Sequence, residues 1–123
     1  MELFADGISL GRDNRQRNTA TDFIIPANTK IIAVEAKNFH FRPGVLGSLS
    51  NGLVTDSGWK CSSRFDSGWN HRDFDDRNWP AAVVVARHGD GPEGYIAGID
   101  PTAKWIWAIK QRHGSCYCRL NLQ

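Results

Sequence analysis

Asp56-Ser57-Gly58-Trp59, Asp66-Ser67-Gly68-Trp69 and Asp76-Arg77-Asn78-Trp79 recur at ten-residue spacing through the middle of this chain. Asp, Ser, Gly and Asn form turns because they tolerate positive φ or hydrogen-bond their own backbone. A tryptophan directly after each turn sets a large amphipathic ring at or near a strand end. Turn signals at this spacing separate short strands, the pattern of an all-β sandwich or barrel. Two roles then compete for the tryptophans. They fill the interior, or they offer a flat ring at the rim to a sugar or to a partner's apolar surface.

Outward from this stretch the chain keeps reading as short strands. Two apolar runs flank Asp6-Gly7, a strong hairpin turn signal, and predict a hairpin over residues 2–10. Phe23-Ile24-Ile25-Pro26 reads as a short strand stopped by proline. Lys30–Ala36 and Ala81–Ala86 are near-continuous β-branched and apolar runs, which predicts strands buried on both faces. Val45–Leu49 resumes a strand before the Asn51-Gly52 turn, and Trp105-Ile106-Trp107-Ala108-Ile109 is a strand with its tryptophans on one face. Gly114 turns the chain into a last strand, Cys116–Leu122. No segment carries a helical period beyond one turn. About eight antiparallel strands must each hide one face, so the expected fold is all-β, a two-sheet antiparallel sandwich forming one domain over residues 1–123.

At 123 residues the chain suits one domain with one adequate core. Its 41% hydrophobic and 11% aromatic content excludes a disordered segment. A net charge of +2, evenly spread, is no nucleic-acid footprint. The cluster Arg12-Asp13-Asn14-Arg15-Gln16-Arg17 is interrupted by an acid and reads as a solvated loop. No apolar run reaches the roughly 18 residues of a membrane span, so membrane insertion is not expected. No leader precedes the first strand, so a secretion signal would lie outside this sequence.

The cysteines are Cys61, Cys116 and Cys118. Alternation puts Cys118, Leu120 and Leu122 on one apolar face, and Trp59 shares a face with Cys61. A Cys61–Cys118 disulfide would close a long loop and stabilise by about 3–4 kcal/mol. Cys116 falls on the same side as Cys118, which leaves Cys61–Cys116 as the alternative pairing. His113-x-x-Cys116-x-Cys118 is poor spacing for tetrahedral zinc.

Phe74-Asp75-Asp76-Arg77-Asn78-Trp79-Pro80-Ala81-Ala82 resembles the "FDDSxWxxA" signature of galactose-binding-domain-like jelly rolls. Ala5-Asp6-Gly7, Ile32–Asn38, Gly44-Val45-Leu46-Gly47-Ser48, Trp105-Ile106-Trp107 and Tyr117-Cys118-Arg119 are similar to the rest of that pattern. Such modules accompany glycoside hydrolases and many rhamnosidases. The resemblance implies a β-sandwich without catalytic residues that binds sugars through loops at one end, in some members with a structural calcium ion. Other members only space or contact neighbouring domains. The cysteines depart from the hydrolase-appended pattern and resemble those of extracellular invertebrate lectin or adhesion modules.

Three loops offer sugar-binding chemistry. Trp69 stands in a polar stretch with Asn70, His71 and Arg72, so its indole face would stack on sugar C–H groups while its neighbours bond the hydroxyls. Asn38-Phe39-His40-Phe41-Arg42 is the second, with His40 and Arg42 as polar partners. Arg87-His88-Gly89-Asp90, with Glu93 and Tyr95, is the third, its glycines allowing close backbone approach. Asp75 or Asp76 is expected to cap backbone amides. No cofactor is expected beyond a structural calcium, for which Asp6, Asp56 and Asp66 are weak candidates. No nucleophile elbow or phosphate loop occurs, so no enzyme is expected. The expected partners are glycans of galactose or rhamnose type, bound by an extracellular protein that gains avidity from oligomers or tandem copies.

Overall fold

A computed structural model describes residues 1–13, 18–38, 43–109 and 114–122. His40, Arg42, His113 and the basic residues 15 and 17 lie outside them. The fold is all-β and antiparallel. A five-stranded sheet runs β2(Ile8–Arg12), β1(Glu2–Ala5), β3(Ile31–Asn38), β7(Gly114–Asn121), β4(Lys60–Ser62). A second sheet pairs β5(Val83–Arg87) with β6(Lys104–Trp107).

The β1–β2 hairpin forms at Asp6-Gly7 as its sequence demands. Both residues take positive φ, 47° and 87°, the requirement of a tight primed turn. The Asp6 carboxylate accepts hydrogen bonds from the backbone N–H groups of Lys30 and Ile31, at 3.1 and 2.9 Å, and so ties the turn to the start of β3.

β3 is buried on both faces. Ile32, Val34 and Ala36 face a core shared with Leu3, Val45, Trp59, Ile106, Trp107 and all three cysteines. Ala33 faces the other way and packs with Trp69, Trp79 and Tyr117, with Phe4 and Phe74 at the edge of that group. The outer face of the large sheet is therefore covered by the loop over residues 63–80. Trp59 and Trp107 fill the main core, while Trp79 lies in this outer cluster rather than with them.

Several elements differ from the sequence reading. Seven strands form among the described residues. Residues 23–26 make no strand, and Val45–Leu49 contributes only isolated bridges to Ile106 and Val54. Trp105 packs against Leu46, Ile96 and Ala103 instead of joining Trp107 in the main core. The apolar run ending at Ala86 is not a buried central strand. Among the described residues β5 pairs only with β6, a bulge interrupts its register between Val84 and Ala86, and Val84 and Val85 are each 43% exposed.

Cys61 and Cys118 are direct cross-strand partners on β4 and β7, and they form the disulfide. Cys116 remains a buried free thiol, so the alternative pairing is not used. Desolvation raises its pKa to about 12.

Candidate functional site

The three Asp-to-Trp units fold alike. In each, the tryptophan N–H donates to the aspartate carbonyl three residues earlier: Trp59 to Asp56, Trp69 to Asp66 and Trp79 to Asp76, at 3.3, 3.1 and 3.0 Å. All three rings then turn inward. Trp69 is only 3% exposed, stacked 6.5 Å from Trp79 and edge-on to Tyr117 and Phe4. The expectation that its indole is open to a sugar is corrected: the ring covers the outer face of the five-stranded sheet.

What holds this loop is Arg119, on the outward side of β7 and 2% exposed. Its Nε donates to Asp76 Oδ2 at 2.9 Å. Nη1 donates to the carbonyls of Trp69 and, at 2.9 Å, His71, and Nη2 to that of Phe74 at 3.2 Å. The guanidinium also lies 5.2 Å from the Phe74 ring centre. A planar fork of donors matches several carbonyls at once, which a point-charge ammonium does not. Asp75 caps the Arg77 backbone N–H as expected, and this bond and the Arg77 guanidinium hold its carboxyl below the ordinary value. Asp76 instead pairs with Arg119 and, at 3.5 Å, Lys60.

Asn70 is half-buried, and His71 and Arg72 are exposed at the β1–β2 turn. The His71 ring lies against Gly7, where an added Cβ would sit 3.1 Å from Nδ1, and Arg72 reaches to 3.9 Å from Asp6. Burial acts to raise the Asp6 carboxyl, but the Ile31 and Lys30 N–H groups and the charge of Arg72 outweigh it, and its pKa is lowered. This polar patch has lost its stacking plane.

The loop between β5 and β6 is built differently. It is a run of tight turns, closed by Asp90, Gly94, Ile99 and Ala103 donating to the carbonyls of Arg87, Gly91, Ile96 and Asp100. His88, expected as a ligand contact, is 3% exposed and holds these turns together. Its Nε2 accepts from the Ile96 N–H at 2.8 Å. Nδ1 therefore carries the proton and donates to the Asp100 carbonyl at 2.9 Å. Both ring nitrogens are committed, so the ligand role is corrected.

Tyr95, the aromatic of this loop, stays outside at 70% exposed, as Phe65 of the 63–80 loop does at 61%. Its ring rests on Gly89, where a Cβ would fall 2.5 Å from the ring carbon Cζ, and meets His88 edge-on at 5.1 Å. Gly89 also has φ +99°, so glycine is needed there twice over. Beside it, Arg87 and Asp90 are exposed and paired at 3.3 Å. The Arg87 backbone N–H, then its guanidinium, keep the Asp90 carboxyl below its usual range.

Comparison with known proteins gives a sugar-related neighbour. Over 55 residues the chain is 40% identical to an alpha-L-rhamnosidase of Streptomyces avermitilis. The matched stretch is 44% of this chain and 5% of that enzyme. No family model matches, and no solved structure matches. The similarity ties part of this sandwich to a carbohydrate-related protein.

The calcium candidates serve separate turns. Asp6 caps β3, Asp56 caps the Gly58 N–H at 2.8 Å, and Asp66 accepts the Trp79 indole N–H at 3.1 Å. Among the described residues, the grouped donors of the kind that hold metals are the three cysteines. Sequence reading placed Tyr95 in a candidate loop but behind Trp69, and missed Arg119. A lone arginine in an alternating strand carries no local signal of the carbonyls it meets some 50 positions away.

Proposed function

We propose that this domain is a non-catalytic carbohydrate-binding module whose sugar platform is Tyr95, with Arg87 and Asp90 as hydroxyl partners. One observation carries the reading: an exposed tyrosine held flat on a glycine beside an exposed cation and carboxylate. An aromatic face takes the C–H side of a pyranose, and the charged pair bonds its hydroxyls, which a sugar needs in exchange for lost water. The rhamnosidase similarity favours a rhamnose-type ligand, and the disulfide fits an extracellular setting. A shallow site of this kind binds weakly as a monomer and gains from multivalency.

A glycan array with a tetramerised domain, followed by calorimetry, tests this. The expected result is binding to rhamnose- or galactose-terminated glycans that Tyr95→Ala abolishes without changing the unfolding midpoint. Silence across the array, or binding indifferent to Tyr95→Ala, overturns it.

The exposed Val84 and Val85 on the edge strand β5 favour a second reading, a protein-interaction or structural module in an adhesive or matrix protein. In that case Val84→Lys with Val85→Lys abolishes partner binding, while Tyr95→Ala leaves it intact.

A further inference from the structure

The three sulfur atoms form a compact group that the sugar-binding reading does not use. Cys61 and Cys118 face each other across β4 and β7, and Cys116 stands two positions along β7 on the same face. All three are fully buried. Cys116 Sγ is 3.5 Å from Cys118 Sγ, and the three sulfurs lie within 4.8 Å of one another. Had they stood in a row, an ordinary S–S bond of about 2.05 Å would have put the outer two about 5.5 Å apart. They form a triangle instead. Thiol–disulfide exchange passes through three sulfurs in line, so this arrangement disfavours it.

We propose that, in the reduced protein, Cys61, Cys116 and Cys118 form a three-sulfur site for a soft, thiophilic ion, and that arsenic(III) is the chemistry it fits best. Three thiolates about 2.3 Å from a pyramidal trivalent centre stand about 3.5 Å apart, which is the separation of Cys116 and Cys118, and reduction frees Cys61 to part from Cys118 to that distance. Soft sulfur donors select soft ions. The group has three donors among the described residues, as many as a trivalent centre takes. The surroundings decide the charge. Leu3, Ile32, Val34, Val45 and Trp107 make this an apolar core, where a net charge is costly. Three thiolates on zinc(II) leave one negative charge and on copper(I) two, whereas on a trivalent centre they leave none.

The chemistry balances. A phosphine reductant supplies two electrons to the disulfide, takes up oxygen from water and becomes a phosphine oxide, leaving Cys61 and Cys118 as thiols. Arsenous acid then exchanges three As–OH bonds for three As–S bonds. The three S–H protons leave with the hydroxides as three waters.

The test is native mass spectrometry of the phosphine-reduced domain titrated with arsenite, with zinc(II) as a parallel arm and far-UV circular dichroism to follow the fold. The expected result is one arsenic per folded chain, displacing three protons. Cys116→Ser should weaken uptake by about tenfold or more, since it removes one tethered donor, and the disulfide form should take up none. Equal uptake by Cys116→Ser, tighter binding of zinc(II), or a reduced chain that unfolds and is not restored by arsenite overturns the proposal. Sugar binding by the oxidised domain is unaffected by any of these results.

Discussion

The loop over residues 63–80 and the loop over residues 88–103 solve one problem in two ways. Each is long, polar and without strands, and each must satisfy its backbone groups against a sheet. The first closes on a cation supplied by a distant strand, Arg119, and sends both tryptophans inward. The second closes on an imidazole of its own, His88, and leaves its aromatic, Tyr95, outside. Polar neighbours therefore do not tell whether an aromatic is exposed. What decides is where the loop's backbone carbonyls are anchored. Around Trp69 they turn down toward Arg119 and carry the ring with them. Around Tyr95 the anchor lies behind the loop, and the ring is left on the solvent side of Gly89.

The comparison is broken most severely at Arg119. Arg119→Met leaves the Asp76 carboxylate without its buried partner and the carbonyls of Trp69, His71 and Phe74 without donors. The expected loss is about 3–5 kcal/mol in urea unfolding. Hydrogen exchange should show faster opening over residues 63–80 while the amides over 88–103 keep their protection. Equal loosening of both loops would mean that the two anchors are not independent.

Gly89→Ala tests the second loop. It forces a side chain into positive φ and into the Tyr95 ring, at an expected cost of about 1–3 kcal/mol. Because the ring must move, sugar binding should fall along with stability. Tyr95→Ala, in contrast, should lose only binding.

The smallest effect separates the polar patch at the β1–β2 turn from both loops. The folded Asp6 carboxyl lies below its ordinary value of 3.8. Its contribution is present above the unfolded value and is lost as pH falls through the folded one. Stability should therefore decline on acidification below about pH 4, and Asp6→Asn should flatten that decline. An unchanged acid limb would assign it to other carboxylates, such as Asp75 and Asp90, which are also lowered.

Much of this molecule was written locally. Asp6-Gly7 specified its hairpin through two positive φ angles, and the Asp-to-Trp units specified three like turns through their spacing. The near-continuous apolar run Lys30–Ala36 and the alternation of Cys116–Leu122 specified two strands, and the latter put Cys116 and Cys118 on the core side. Such features depend on residues near in sequence, so periodicity and turn chemistry reveal them. The run Ala81–Ala86 was misread because an apolar strand looks the same whether its faces are covered or left open; among the described residues β5 pairs with β6 alone, and Val84 and Val85 are surface residues. Tertiary structure alone chose Cys118 over Cys116, since both share a face and only the register with β4 sets one opposite Cys61. It also chose Tyr95 over Trp69, because exposure depended on Arg119 and His88 meeting carbonyls that no local pattern connects to them.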